Sequence, residues 1–330
     1  MADHSVGIRP LAPKGAGRPT RAIPFLVLRL LLIVNSFASS VTARNTVLVQ
    51  QTLGAVADVT TVVTNRRGHA TRFAQDAASR GVEVVAALGG DGTLNEAANG
   101  IAGSETALAV LPGGSTNVFA RIIGLPNDPV AAANVVADSV KRESVRRVGL
   151  GSVNRRYFCF HTGIGFDAAV VGRVERQASL KRWAGHPLFV WAALATWLRG
   201  YDRRHPHFDV AFADGAALPD GYFTIVLNSN PYTYLGNRPL SLAPAADLDR
   251  GLVAVTFRSL RAVTVLGAVG RALRGQPVRP SRHIDVRTDL GGLSVTSAAP
   301  FPYQVDGDFL GDTRRLSFRY EPEALRLVVP

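Results

Sequence analysis

The run Gly89-Gly90-Asp91-Gly92-Thr93-Leu94-Asn95-Glu96 gathers residues able to do chemistry at the junction of an apolar stretch (VEVVAAL) and a helical pattern. Glycines let a backbone turn tightly and present N–H groups to a polyphosphate, and the positive end of the following helix adds attraction. Thr93 offers a hydroxyl donor, and Asp91 a carboxylate able to hold Mg²⁺ directly or through water. A second run, Leu111-Pro112-Gly113-Gly114-Ser115-Thr116-Asn117-Val118-Phe119-Ala120, leaves the next expected strand at the same end. Neighbouring strand ends of an open α/β sheet line one crevice, so Gly114, Ser115, Thr116 and Asn117 are expected to complete a phosphate cradle with the first run. Asn35 and Thr64, ending the first and second strands, add polar groups to that rim. Taken singly, each is also what an ordinary loop carries.

A third segment, Gln304-Val305-Asp306-Gly307-Asp308, sets two carboxylates around a glycine. Phosphoryl transfer needs an acceptor for the nucleophile's proton, and a carboxylate in the cleft can serve. The same residues also spell a hairpin turn between Tyr303 and Phe309.

The elements that must position these groups alternate. Strands are expected at Leu30–Val34, Val59–Val63, Val82–Leu88 and Leu108–Leu111, with helices at Thr46–Ala57, His69–Ser79, Leu94–Ile101 and Val130–Val140. That alternation implies an α/β domain built on a parallel sheet, expected over residues 23–142, with residues of about 321–330 a candidate to return to it. After Arg142 short strands dominate: Tyr157–His161, Phe208–Phe212, Tyr222–Leu227, Val253–Phe257, Ile284–Thr288, Leu293–Thr296 and Leu316–Tyr320. Their spacing argues for an antiparallel β-sandwich over residues 143–320, interrupted by a helical region from Gly172 to Gly200. Residues 1–22 read as a disordered basic tail.

Composition narrows the classes. The net charge of +12 is carried by Arg, with Lys only at Lys14, Lys141 and Lys181, and suits an anionic partner or an Arg-rich proteome equally. No nucleic-acid-binding motif accompanies it. Cys159 is the only cysteine, so an internal disulfide is excluded, and no Cys/His spacing suggests zinc. Ile23–Val34 superficially resembles a signal peptide, but Arg29 interrupts it and a buried first strand fits better.

Taken together, GGDGTLNE, LPGGSTNVFA, TNRRGHA (Thr64–Ala70), GIGFD (Gly163–Asp167) and VDGD resemble, in order and over roughly residues 26–330, the diacylglycerol-kinase catalytic family. The resemblance implies ATP with Mg²⁺, a lipid alcohol as acceptor, and an active site between an α/β and a β-sandwich domain. It makes Thr64, the stretch Gly90 to Glu96 and Ser115 nucleotide contacts, and Asp91 the Mg²⁺ organiser. It puts the proton acceptor on Asp308, with Asp306 beside it; because the family usually has Glu where Asp308 stands, the choice between the two stays open. Other departures are Asn35-Ser36-Phe37 for the usual Asn-Pro, Val118 for an Asp, and Asp249-Arg250-Gly251 for a metal-binding Asp-Asp-Gly turn. A lipid kinase of this kind is expected to be cytoplasmic and peripheral to an anionic membrane, as a monomer or homodimer. The aromatics Trp183, Phe189, Trp191, Trp197 and Tyr201, flanked by Lys181, Arg182, Arg199, Arg203 and Arg204, are one candidate for that contact. A kinase of a soluble substrate such as NAD, or a nucleotide- or lipid-binding protein without turnover, are the competing readings.

Overall fold

Four apolar runs form the parallel heart of the protein. They are β1 (Arg29–Val34), β2 (Asp58–Val63), β3 (Val84–Gly89) and β4 (Ala107–Pro112), ordered β4-β3-β1-β2. Every residue of β3 and β4 is buried, which is why they read as continuous Val/Ala/Leu without alternation. This computed structural model describes residues 28–176, 201–202 and 205–330. The basic tail, residues 177–200 of the helical region and the aromatic–basic segment before Tyr201 therefore lie outside the described residues.

Helices α1 (Ala43–Gly54), α2 (His69–Ser79), α3 (Asp91–Ile101), α4 (Val118–Ile122) and α5 (Pro129–Lys141) surround the parallel strands. Two begin earlier than their sequence patterns suggest. α1 starts three residues before Thr46 because the Thr42 hydroxyl accepts from Asn45 N at 3.1 Å and caps it. α3 starts at Asp91 rather than Leu94, so most of the expected loop is helix. At α5, Asp128 accepts from Val130 N and Ala131 N ahead of Pro129, a strong local start signal.

The antiparallel strands are β5 (Val145–Val153), β6 (Arg156–Phe158), β7 (His161–Gly165), β8 (Phe208–Phe212), β9 (Ala217–Gly221), β10 (Phe223–Leu227), β13 (Leu252–Phe257), β14 (Ile284–Leu290), β15 (Gly292–Val305) and β16 (Asp308–Val328). Between β10 and β13 lies a separate hairpin of β11 (Thr233–Leu235) and β12 (Arg238–Leu240). Among the described residues, fourteen strands join into one sheet. Its antiparallel part folds over on itself: β15 pairs with β8 through Leu293–Thr296 and with β7 through Tyr303–Val305, with irregular register between. The two layers so made enclose Ile164, Val210, Phe212, Val226, Val295, Leu316 and Phe318.

Several elements escaped the sequence patterns, among them α4, β5, β9 and the β11–β12 hairpin. Helix α6 (Phe166–Arg176) starts ahead of Gly172, and helix α7 (Ala262–Ala272) forms where Val, Thr and two glycines disfavour helix. Burial of Ala268 and Ala272 with Phe223, Val255 and Phe257 outweighs that local preference. Strand β16 is longer than expected and crosses between regions: Leu316 and Phe318 belong to the antiparallel core, while Leu327 pairs in parallel with Leu108 of β4.

The packing of α3 on α2 depends on Gly100. A Cβ there would lie 2.5 Å from Thr71 O and 2.7 Å from the Ala74 Cβ. Gly100→Ala is expected to destabilise by roughly 1–3 kcal/mol in chemical denaturation. Gly54→Ala, with open space around the added methyl, should be neutral or slightly stabilising.

Candidate active site

The chain order reverses between β1 and β3, each of which is followed by a loop at the same sheet rim; such a switch point opens a crevice. Asn35 spans it, donating from Nδ2 to the Thr93 hydroxyl at 2.8 Å while its backbone N–H bonds Leu88 O. Thr64 continues the rim from β2, its N–H on Val34 O at 2.9 Å.

The two glycine-rich runs lie backbone against backbone. Gly113 N–H donates to Gly89 O at 2.7 Å, and a Cβ on Gly114 would sit 2.8 Å from the Gly90 Cα. A Cβ on Gly89 would meet the Thr93 side chain at 2.7 Å. These glycines thus serve close approach of two loops as well as any ligand. Gly90, the residue before α3, supplies no side-chain cap, so the first amides of α3 form an N-terminus suited to an anion. Ser115 is exposed beside it and Thr116 half-buried.

Because α3 begins at Asp91, helical periodicity sends the rest of its motif elsewhere. Leu94 is in the apolar core. Asn95 is buried, donating to Tyr157 O at 2.9 Å and Asp306 Oδ2 at 2.8 Å. Glu96 accepts from Gly68 N and Ala70 N at 2.8 and 3.1 Å, capping α2, whose αL Gly68 has no side chain to do so. Asn117 is buried with φ +49°, its amide exchanging bonds with Gly114 and donating to Asn127 Oδ1 at 2.7 Å. All four, expected as nucleotide contacts, are engaged with the protein's own core, backbone and side chains.

Asp91 is half-buried at the rim, and its two oxygens accept from Val118 N and Phe119 N at 3.0 and 3.2 Å. Burial pushes its carboxyl above the ordinary aspartate range; the two amides oppose that, and the nearby Asp308 carboxylate adds to it. Asp91 therefore also fixes α4 and, through it, the second loop.

The two acids of the C-terminal motif have different surroundings. Asp306 and Gly307, both at positive φ, form the two-residue turn between β15 and β16. The buried Asp306 carboxylate accepts from Cys159 N (2.7 Å), Phe160 N (3.0 Å), His161 N (3.0 Å) and Asn95 Nδ2 (2.8 Å). Asp308 is instead partly open, 27% exposed, and faces α3: a Cβ on Gly92 would lie 3.2 Å from its Oδ2. Arg156, which the motifs did not flag, lies 3.9 Å from Asp308 and donates to Asn95 Oδ1 at 2.9 Å. Its place beside a two-residue turn at the end of β5 is a local signal of exposure but not of function.

Asp167, from the GIGFD segment, is buried too. Tyr232 and Gln304 donate to it, and Gln304 also accepts from Gly307 N at 2.8 Å, bracing the turn from its other side. The Asp249 turn is closed by an ion pair to Arg146 at 3.3 Å. Among the described residues, no group of three or more His, Cys, Asp or Glu gathers around a common point.

Burial pushes the Asp306 carboxyl up to about 6, against the lowering pull of its four donors. The folded protein therefore holds a proton there that the unfolded chain, near 3.8, has lost, and this contribution to stability falls as pH rises from about 4 to 6. The advantage of wild type over Asp306→Asn should shrink by roughly 3 kcal/mol over that window and level off above it, in denaturation curves taken at each pH. Asp306→Ala, orphaning three buried amides, should cost roughly 3 kcal/mol or more, whereas Asp308→Ala should melt close to wild type.

The sequence profile of the "Diacylglycerol kinase catalytic domain" family matches residues 29–153, the stretch holding both glycine-rich runs. The chain is 39% identical over 261 residues to a Bacillus subtilis protein named "Diacylglycerol kinase", covering 77% of this chain and 80% of that one. It is 30% identical over 274 residues to a Pseudomonas aeruginosa protein named "Probable lipid kinase YegS-like", covering 81% and 83%. A solved structure described as a diacylglycerol kinase from Bacillus anthracis superposes with a TM-score of 0.68 at 20% identity, over 92% of this chain and 98% of that one, a likeness of fold. The chain is a kinase that belongs to the diacylglycerol kinase catalytic-domain family.

Proposed function

We propose that the protein transfers the γ-phosphate of Mg-ATP to the hydroxyl of diacylglycerol or a related lipid alcohol. The observation that carries this reading is the meeting of Asp308 with the amino end of α3. One partly exposed carboxylate is held against Gly92, where two glycine loops offer backbone donors to a polyphosphate.

In this reading the ATP phosphates lie along Gly89–Thr93 and Gly114–Thr116, with Asn35 and Thr64 on the flank. Asp308 is placed to accept the proton as the lipid oxygen bonds to the γ-phosphorus and the bond to the β-phosphate oxygen breaks, leaving ADP. The Asp306 carboxylate, with four donors already on it, positions the turn and is not the base. Asp91 fits Mg²⁺, which takes one or two carboxylates plus phosphate oxygens, and the repulsion from the nearby Asp308 carboxylate is what a cation relieves. When bound, Mg²⁺ would neutralise charge on the β- and γ-phosphates. Asp91 would hold it while keeping α4 in place. The shortness of Asp against the family's usual Glu is consistent with Asp308 starting close to the helix.

The test is transfer of labelled γ-phosphate to a panel of lipid alcohols in mixed micelles, with NAD as the soluble acceptor. Label in lipid supports the proposal; label only in NAD overturns it. Asp308→Ala should lower kcat by roughly 10²–10⁴-fold with ATP affinity retained. A variant with wild-type kcat would remove Asp308 from the proposed role. Asp91→Asn is a cleaner probe than Asp91→Ala, because one oxygen can still accept an α4 amide; it is expected to raise the Mg²⁺ concentration needed for half-maximal rate.

A further inference from the structure

Helix α7 has two contrasting faces. Ala268 and Ala272 are buried on the β10–β13 layer, with Val265 packed beside them. On the opposite side stand Val263 and Leu266, 78% and 69% exposed, and just past the helix Leu273, 40% exposed. Spacings of three and seven residues put them in one stripe along the helix. Large apolar side chains so exposed mark a surface that meets something other than water.

The charge around the stripe says what. Residues 258–283 contain six arginines and no Asp or Glu. Arg258 pairs with Asp220 at 2.8 Å. Arg261, Arg271, Arg274, Arg279 and Arg282 form no ion pair with a described carboxylate. Two are steered by the helix end: Arg271 Nε donates to Pro277 O at 2.9 Å and Arg274 Nη1 to Gly270 O at 2.9 Å. Beside the helix runs an open groove of about 200 Å³. Its apolar side is Val263, Ala268, Val278 and Ile284, and Arg271 and Arg279 stand over it.

An apolar stripe bordered by arginines that have no ion pair with a described carboxylate matches the two layers of a bilayer surface, acyl boundary and anionic headgroups. A second copy on this face would oppose five arginines to five. A nucleic acid would satisfy the arginines and leave Val263 and Leu266 in water. We propose that α7 is an interfacial helix that docks the protein on an anionic lipid bilayer, with Val263, Leu266 and Leu273 entering the acyl boundary and Arg271, Arg274 and Arg279 at headgroup phosphates. It deepens the lipid-kinase reading, and rests on it only for its purpose: bringing the cleft to an acceptor that resides in the bilayer. The helix is also joined to the site's rim. Ser241 N, just past β12, donates to Ala272 O at 3.1 Å, and the Arg121 guanidinium of α4 lies 3.5 Å from the Tyr234 ring centre on β11.

The experiment is sedimentation of the full chain with vesicles of neutral phosphatidylcholine alone or with about 30% phosphatidylglycerol, without ATP, so that binding is read independently of phosphoryl transfer. Binding should require the anionic lipid and weaken with salt. Replacing Arg271, Arg274 and Arg279 together by Gln should weaken it on the order of a hundredfold, and Val263→Ser with Leu266→Ser on the order of tenfold or more. Both sets should keep wild-type melting temperature and wild-type rate on a short-chain, water-soluble lipid alcohol. Wild-type vesicle binding in both sets overturns the proposal, as does equal binding to neutral vesicles or no binding by the wild-type chain. A change of particle mass in light scattering for the Ser variants makes the face a self-interface and also overturns it. Vesicle binding intact with no lipid labelled in any assay would leave docking standing and remove the lipid-kinase reading instead.

Discussion

Everything at this site hangs on one buried carboxylate. Asp306 gathers three consecutive amides from Cys159 to His161 and the side chain of Asn95, a residue of the helix that opens between the two glycine-rich loops. The bonds tie the β15–β16 turn to the β6–β7 connection and to α3 at once. Desolvating a charged group is costly, and four donors are what make it tolerable. Asp308, two residues on, inherits its position from that anchor, and its side chain lies against Gly92 of α3.

A second carboxylate repeats the logic on the other loop. Glu96 caps α2, Asp91 holds α4, and Asp306 holds the strand connection, so three acids within or against α3 each organise a different neighbour. Acidic groups accept two or more backbone donors well, and loops at a sheet rim have many such donors to satisfy. A motif dense in acids next to a proposed phosphate site looks, at first sight, electrostatically wrong. Here most of that charge is spent on amides and faces away from the crevice.

That division explains what could be read in the sequence. The parallel strands, both glycine-rich turns and the hairpin at Asp306-Gly307 depend on neighbours in the chain, so residue type and spacing displayed them. The partition of GGDGTLNE did not show, because it turns on where α3 begins. Placing the helix start at Asp91 instead of Leu94 rotates Leu94 into the core and Asn95 toward Asp306. Asp306 itself was ambiguous because its donors lie about 145 residues upstream. Helix α7 was invisible for the opposite reason: its local composition argues against it, and only the layer beneath makes it form. Arg156 carried no motif at all.

Strand β16 gives the molecule a particular order of assembly. The edge of β4 that Leu327 covers is made some two hundred residues before its partner, so that edge stays unpaired through most of synthesis. An exposed strand edge is a template for unwanted pairing. The parallel half cannot pair that edge by itself and receives its partner only from the strand that runs through both halves. The strand that begins at Asp308 and the strand that closes the β4 edge are thus one and the same, β16.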